Sequence, residues 1–286
     1  MRNIDIIIPV HNRAQILSEI LPTYYNQPEA HAIFIIDDAS VDDVKSVVDA
    51  AAAHAPIPIH YHRFPKSMRQ QACKNFGVSK SNQPYIFIGE DDLWLAPDHF
   101  AVLINAIEGT GADIVGGRRV YIHDGESQAH ALEASRADAR PIFKKLPFEA
   151  YFERYTEQAV EVPYMHSNVL MRRDVFSSAQ YDVGYKGNSF REELDFYLQC
   201  SAAGKQMWLI PKTACFHLKS PRKMGSGSQI ARLRYEWYVW RNTIQCFKKN
   251  KVVLKQRFGI LFPVGYAVLS LLARYPYGLW NEIKRF

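Results

Sequence analysis

Short apolar runs alternate with helix-like stretches through the first hundred residues, and this rhythm constrains the fold more than any other feature of the chain. The runs are rich in Ile, Val and Phe and lack apolar/polar alternation, as strands do when helices cover both of their faces. Repeated strand–helix–strand units of this kind build a parallel sheet. In chain order the strand-like runs are IDIIIPV, AIFIIDD, PIHYHRF and PYIFIGEDD, and the predicted helices span 14–25, 41–53 and 68–79.

The size and composition of the chain exclude disordered and fibrous proteins. With 286 residues, 48% of them hydrophobic, it can bury a core for one large domain or for a domain with an appendage. Its four cysteines show no Cys-x-x-Cys spacing, so neither a zinc cluster nor a disulfide framework is suggested. The N-terminus lacks the long apolar segment of a secretory signal, and a cytoplasmic location is therefore expected.

Polar side chains follow the predicted strands where each strand ends. In open α/β sheets a ligand binds beyond the carboxyl ends of the strands, so these side chains are expected to converge on one site. They are His11, Asn12, Asp37, Asp38, Glu90, Asp91 and Asp92.

Three adjacent carboxylates end the last of these runs, at Glu90, Asp91 and Asp92. Their mutual repulsion raises their pKa values unless a cation is present. Mg²⁺ or Mn²⁺, bound by one or two carboxylates and the phosphates of a nucleotide, is the ion such a site favours. An acidic helix cap before Leu93 is the structural alternative.

Two further positions have both a ligand-binding and a structural interpretation. Asp38 can accept a hydrogen bond from a nucleobase N–H, or it can cap the helix that follows. Arg69 opens the stretch RQQACKNFG and can hold a diphosphate or a base, or it can lie on a solvated helix face.

A second block of motifs runs from Asn168 to His217 and contains a helix predicted from about Glu192 to Ala203. Acidic residues are favoured in a first helical turn, but that preference explains only one of Glu192, Glu193 and Asp195. A carboxylate here can remove the proton from an acceptor hydroxyl, and Glu193 is the predicted base. A lone histidine is usually structural, but because it accompanies these other motifs His217 is a candidate metal ligand.

Between the two blocks, residues 116–163 are interpreted as a less regular segment, either an acceptor-side flap or a variable surface loop.

Five ordered motifs, spanning roughly residues 3 to 218, resemble those of the inverting glycosyltransferases known as family 2. They are IIIPVHNR, IDDASVDD, RQQACKNFG, GEDD and REELDF with a downstream histidine. The resemblance implies an α/β GT-A fold, a single Rossmann-like, doubly wound sheet domain. It implies that Pro9 and His11 line the nucleotide, that Asp38 contacts the base, and that Arg69 helps to hold the nucleotide.

The same resemblance assigns roles to the acidic motifs. Asp91 and Asp92 are implied to bind ribose, diphosphate and metal, with Mn²⁺ or Mg²⁺ as the cofactor and His217 as a further ligand. Glu193 takes the position of the general base. The family commonly has Gly-Glu-Asp where this chain has Arg191-Glu192-Glu193, so a longer side chain replaces Asp and Glu192 is the alternative base.

Residues 219–286 form a tail with a composition of its own. Fourteen Lys and Arg and only two acids lie between Lys219 and Phe286, although the whole chain carries a formal charge of +6. Its aromatic and basic residues at helical spacing predict an amphipathic helix, which binds an anionic membrane or packs on the catalytic domain, residues 1–218. The apolar stretch 258–273 is short for a bilayer span of roughly twenty residues, so interfacial attachment at the cytoplasmic face is predicted.

The expected substrates are a nucleotide-sugar donor, with UDP- or dTDP-sugars favoured, and a glycan or lipid-linked saccharide acceptor. A nucleotidyltransferase is one alternative, but PVHNRAQ is not a Gly-rich phosphate loop. A polyanion- or nucleic-acid-binding protein would explain the basic, aromatic tail but would leave the acidic residues unexplained. No nucleic-acid partner is therefore expected.

Overall fold

A computed structural model describes residues 3–123, 125–137, 140–219 and 232–283, with side chains in the last helix described as far as Ala273. The strands are β1 (Ile4–Val10), β2 (Ala30–Asp37), β3 (Ile59–Arg63), β4 (Tyr85–Ile88), β5 (Leu93–Leu95), β6 (Ile114–Ile122), β7 (Phe143–Lys144), β8 (Glu149–Ala150), β9 (Val160–Glu161), β10 (Leu170–Arg172) and β11 (Met207–Leu218). The α-helices are α1 (Ala14–Tyr25), α2 (Val44–Ala52), α3 (Arg69–Lys80), α4 (His99–Thr110), α5 (Gln128–Arg136), α6 (Glu192–Ala202), α7 (Arg232–Lys249), α8 (Lys251–Phe258) and α9 (Pro263–Ile283). A 3₁₀ helix spans Arg173–Ser177.

One large mixed sheet organises the fold, in the order β3-β2-β1-β4-β10-β6-β11-β5, with β9 paired to β11. Strands β3, β2, β1 and β4 are parallel, as the alternation of strands and helices predicts. Beyond them β10 runs antiparallel to both of its neighbours, and β5 runs antiparallel to β11. Only residues 89–92 separate β4 from β5, too few for the crossover that a parallel connection needs.

The sheet has a core on each face. Ile4, Ile6 and Ile8 of β1 point to one face and pack with α1, α2 and α4. Ile7 points to the other face, where α3, α6, α7 and α8 cover the sheet. This arrangement confirms the predicted doubly wound α/β fold.

The segment predicted to be irregular contains a central strand. Strand β6 pairs with both β10 and β11, and α5 follows it. Gly116 and Gly117 make the strand hard to recognise from the sequence, because glycine is normally unfavourable in the interior of a strand. Each is required by a close contact: a Cβ on Gly116 would lie 2.4 Å from Met165 Cε, and one on Gly117 would lie 2.7 Å from His99 Cε1.

The described part of the tail packs on the catalytic core. Cys246, Phe247 and Leu254 are buried in the core on the α6 side of the sheet. Asn250 Nδ2 donates a 2.6 Å hydrogen bond to Asp195 Oδ1, which fixes the junction of α7 and α8 to α6. The inner faces of these helices therefore do the packing predicted as one of two alternatives, and the boundary at residue 218 stays a prediction.

Within the described residues, no helix taken singly is both long and apolar enough to cross a bilayer. Lys251–Phe258 and Pro263–Ala273 meet that requirement only as a pair, and their axes are bent by 78°. Glycine and serine beside basic residues in SPRKMGSGSQ, residues 220–229, predict a loop, and this segment lies outside the described residues. Tyr275, Tyr277 and Trp280 are of the residue types that suit a membrane headgroup belt, and their side chains also lie outside the described part of the chain.

Candidate active site

A cleft of about 510 Å³ lies at the carboxyl ends of β1, β2 and β4, where the sequence predicts convergence. Of the seven polar residues expected to converge there, five line the cleft, and Asn12 and Asp37 do not. The structure brings to it all seven residues predicted to bind nucleotide or metal, namely Pro9, His11, Asp38, Arg69, Asp91, Asp92 and His217. Glu193 does not line this cleft. It lines a neighbouring cleft of about 470 Å³, and the two clefts share Gln70, Asn188 and Ser189.

Glu90, Asp92 and His217 form a cluster whose nearest ligand atoms all lie within 4.8 Å of one another. His217 Nε2 is 3.3 Å from Asp92 Oδ1 and 3.4 Å from Glu90 Oε2. Pairing of β11 with β5 creates this proximity, since His217 is in register with Leu93 and the N–H of Leu218 donates to the carbonyl of Asp92.

The chemistry of this cluster fits a divalent cation. Two carboxylates and one imidazole form a mixed oxygen and nitrogen donor set, and such sets bind divalent metals. Burial, reinforced by Arg119, lowers the pKa of His217, so its imidazole is neutral and keeps a lone pair. Burial would raise the pKa of Glu90, but ion pairing with Arg119 and the hydrogen bond from Ser167 hold it at about 2. Glu90 is thus ionised throughout the physiological range.

Asp91, the middle residue of the motif, turns away from this cluster. Its Oδ1 accepts a 2.8 Å hydrogen bond from Arg13 Nη1, and its Oδ2 accepts a 3.2 Å bond from the backbone N–H of His11. The same Arg13 nitrogen donates to Asp92. Burial and the neighbouring Asp92 raise the pKa of Asp91 against the opposing charge of Arg13. Arg13 is therefore the cation that balances the motif on its β1 side.

Asp38 holds two loops at the floor of the cleft. Its carboxylate accepts hydrogen bonds from the backbone N–H of Met68 at 2.5 Å and of Arg69 at 3.0 Å, and from Ser67 Oγ at 2.7 Å. Its carbonyl accepts a 2.8 Å bond from His11 Nδ1, which therefore carries the proton. The carboxylate thus caps α3, while Asp38 also lines the cleft.

Arg69 links α3 to the far wall of the cleft. Its backbone has a left-handed φ of 72°, and its Nη1 donates a 2.7 Å hydrogen bond to the carbonyl of Gly187. The ring of Tyr238 lies so close to Gly187 that a Cβ there would be 2.0 Å from Tyr238 Cδ2. Tyr238 and Arg234 of α7 both line the cleft, so the first part of the tail contributes to the site.

Glu192 and Glu193 begin α6, as predicted, and lie on either side of a buried ammonium group. Lys74 Nζ is 2.8 Å from Glu192 Oε1 and 3.1 Å from Glu193 Oε1. The side chain of Glu192 is 1% exposed and that of Glu193 is 30% exposed. Glu193 is therefore the more accessible of the two candidate bases.

Several residues that shape the site were not identified from the sequence. Arg119 donates to Glu90 Oε2 at 2.9 Å, and Ser167 donates to the other oxygen of Glu90. Both lie in segments without a recognisable motif. Arg13 and Lys74 carried a usable signal, because each lies inside a quoted motif, PVHNR or RQQACKNFG, next to positions that were chosen.

The chain is similar in sequence to a protein family and similar in fold to solved structures of another protein. The family model for glycosyl transferase family 2 matches residues 5–178. No curated protein matches the chain in sequence. Among solved structures, S. aureus TarS 1–349 in complex with UDP-GlcNAc matches with a TM-score of 0.64 and 10% identity, covering 89% of this chain and 67% of TarS 1–349.

Two further structures of TarS show a similar degree of structural likeness at the same sequence identity. TarS 1–349 in complex with UDP has a TM-score of 0.58 and 10% identity, covering 88% of this chain and 74% of the other. A third structure, of S. aureus TarS 1–349, has a TM-score of 0.58 and 10% identity, covering 94% of this chain and 81% of the other. At this identity the likeness concerns the fold alone.

Proposed function

The chain belongs to glycosyl transferase family 2, and from this premise we propose that it transfers a sugar from a UDP- or dTDP-sugar to a hydroxyl of a glycan or lipid-linked saccharide, inverting the anomeric centre. The observation that carries the proposal is the meeting of two clefts. One holds the Glu90, Asp92 and His217 cluster, and the other holds Glu193. A donor phosphate site and a base for the acceptor are thus adjacent but separate.

The first cleft has the groups that a nucleotide sugar needs. Asp38 and His11 line this cleft and are the proposed contacts of the base and ribose, and Arg69 is the proposed source of directional donors to the phosphates. Glu90, Asp92 and His217 would hold Mn²⁺ or Mg²⁺, which when bound neutralises charge on the leaving diphosphate. A uridine nucleotide is favoured further by the UDP and UDP-GlcNAc complexes of the TarS structures.

Glu193 is placed to activate the acceptor in the second cleft. Its carboxylate takes the proton of the acceptor hydroxyl while that oxygen forms a bond to the anomeric carbon. The bond from this carbon to the diphosphate breaks on the opposite face, and the electron pair leaves with the nucleoside diphosphate. One displacement of this kind inverts the anomeric centre.

The acceptor and the location of the enzyme are part of the same proposal. The basic tail is suited to the negatively charged cytoplasmic face of a membrane, where a lipid-linked saccharide would be presented. Family membership and the acidic cluster support glycosyl transfer over the nucleotidyltransferase and nucleic-acid-binding alternatives.

Thermal stabilisation by nucleotides tests the donor site directly, since a ligand that binds only the folded state raises its stability. The protein is heated with UDP, dTDP, GDP or CMP, each with and without Mn²⁺. We expect a manganese-dependent increase in Tm with UDP or dTDP that exceeds the increase with GDP or CMP. No increase with any nucleotide would contradict the proposal.

A further inference from the structure

The outer surface of α8 and α9 has a concentration of exposed apolar side chains. Of the fourteen large hydrophobic residues that are exposed in the described structure, six lie in α8, α9 or the turn between them. The most exposed in the turn are Phe262, at 80%, and Leu261, at 64%. We call residues 259–264 the elbow, because the axes of the two helices meet here at 78°.

The exposure is organised by face. On α9, Val264, Leu269 and Leu272 are exposed, whereas Ala267 and Leu271 are buried in the protein. At 100° per residue Leu269 and Leu272 lie on a different side of the helix from Ala267 and Leu271, whereas Val264 is exposed in the first turn, next to the elbow. The elbow and the outer side of α9 therefore form one apolar surface next to a well-packed inner side.

Basic side chains accompany this surface. Lys251, Lys255 and Arg257 of α8 are exposed, and residues 248–273 contain no Asp or Glu. Two copies of this basic surface would repel each other electrostatically. A neutral apolar partner would provide no negative charge to pair with its lysine and arginine side chains. Anionic lipid headgroups satisfy the cations while the acyl boundary accepts Leu261 and Phe262.

We propose that the elbow docks on an anionic phospholipid surface, with Leu261 and Phe262 inserted at the acyl boundary and Lys251, Lys255 and Arg257 at the headgroups. This inference deepens the proposed function and rests on its membrane-facing acceptor. Because α8 and α9 meet at 78°, the elbow can point toward the membrane while the two helices lead away from it in different directions.

Co-sedimentation with vesicles tests the surface. The full chain is mixed with phosphatidylcholine vesicles with and without phosphatidylglycerol, and its partitioning is compared with that of the double variant Leu261→Ser and Phe262→Ser. Wild type should bind the anionic vesicles, and the variant should partition about tenfold or more weakly, because two apolar side chains no longer insert. The variant Lys255→Glu with Arg257→Glu should also lose binding, and added salt should weaken wild-type binding.

Val41→Ser is the matched control, since Val41 is 91% exposed and lies in the turn before α2. It should bind vesicles as wild type does, and an equal loss in this control would overturn the docking surface. Absence of wild-type binding to anionic vesicles would also overturn it. So would light scattering that shows a wild-type dimer abolished by Phe262→Ser, because a second copy would then cover the face.

The nucleotide-dependent increase in Tm, measured on the same samples, separates this inference from the proposed function. A variant that loses vesicle binding but keeps the increase with UDP and Mn²⁺ supports the docking surface. Wild type that shows the increase but ignores vesicles overturns the docking surface alone. Wild type that binds vesicles but responds to no nucleotide overturns the donor proposal alone.

Discussion

Lys74 Nζ lies 2.8 Å from Glu192 Oε1, and both side chains are almost completely buried. The same ammonium group is 3.1 Å from Glu193. Burial and the adjacent Glu193 raise the pKa of Glu192 against the attraction of Lys74. One cation thus contacts two consecutive carboxylates, and both line the second cleft. Their exposure differs, at 1% for Glu192 and 30% for Glu193, and this difference favours Glu193 as the candidate base.

Glu193→Gln should keep donor binding and lose transfer. Removal of a general base typically costs a factor of about 10² to 10⁴ in rate, whereas the UDP-dependent increase in Tm should be unchanged because Glu193 lies outside the donor cleft. The measurement is the rate of sugar transfer beside the thermal shift. Glu149→Gln, in the same second cleft, is the matched control and should retain most activity. Full transfer by Glu193→Gln would exclude it as the base.

Lys74→Met should destabilise the fold, because it leaves the enclosed Glu192 carboxylate without its cation. Breaking a buried pair by removing one partner costs about 3–5 kcal/mol. The double variant Lys74→Met with Glu192→Gln removes both charges and should be more stable than Lys74→Met alone. Chemical denaturation of wild type, Lys74→Met, Glu192→Gln and the double variant gives the four free energies of unfolding of this cycle. Strictly additive losses would show that the two side chains are not coupled.

The sequence predicted the strand ends well, because an apolar run and the polar residues that end it are local features of the sequence. Asp38 and Asp92 were placed in one cleft on that basis, His217 was added as a candidate metal ligand because of the other motifs, and all three line the cleft. The partners of these residues were harder to predict. Arg119 reaches Glu90 from β6, a strand hidden by Gly116 and Gly117, and the role of those glycines depends on contacts with Met165 and His99 distant in sequence.

The local sequence pattern was also insufficient to predict how the tail packs. Aromatic and basic residues at helical spacing correctly indicated an amphipathic helix, but spacing does not show what the helix packs against. Tyr238 and Arg234 reach the first cleft because α7 packs against Gly187. Only the long-range fold brings these residues together, so the predicted division at residue 218 separates residues that share one cleft.

Asp92→Asn and His217→Ala should each weaken the effect of Mn²⁺ on nucleotide binding. Both remove a donor from the cluster with Glu90. Asp91→Asn should weaken it less, because Asp91 is bound to Arg13 and the His11 N–H and lies outside that cluster. Calorimetric titration of Mn²⁺ alone, together with UDP-dependent Tm values, makes the comparison. Equal losses in all three variants would contradict the assignment of ligands.

Stability should fall as the pH is lowered below about 6.5, the usual pKa of histidine. Burial lowers the pKa of His166 to about 3, and the charge of Arg119 adds to this. Burial also lowers that of His99 to about 3, with His166 adding to the effect. Because the folded pKa values are depressed, the unfolded chain takes up protons first, and the stability present above pH 6.5 is lost as the pH falls toward 3.

Each histidine should contribute about 1.4 kcal/mol of lost stability per pH unit within that window. His166 resists protonation structurally, since Nε2–H donates to the Gly117 carbonyl at 2.8 Å and Nδ1 accepts from the Asn168 N–H at 3.1 Å. Unfolding of wild type and His166→Gln as a function of pH tests this. The variant should have a shallower slope below pH 6.5, and identical slopes would contradict the role of His166.

Gly187→Ala should damage both stability and donor binding, and the chain supplies a control for its two effects. Gly187 and Gly204 both have positive φ, 64° and 79°, so alanine at either position costs about 1–2 kcal/mol of backbone strain. A Cβ at Gly204 meets nothing within 4 Å, whereas one at Gly187 overlaps the ring of Tyr238. The additional loss in Gly187→Ala should therefore measure the displacement of Tyr238.

That displacement should also weaken UDP binding, because Tyr238 lines the donor cleft and the Gly187 carbonyl holds Arg69. Tyr238→Ala introduced into Gly187→Ala makes room for the new methyl group and should recover part of the lost stability. Free energies of unfolding and UDP affinities are measured for both alanine variants and the double variant. If Gly187→Ala behaves as Gly204→Ala in both measurements, α7 does not pack on this wall of the cleft.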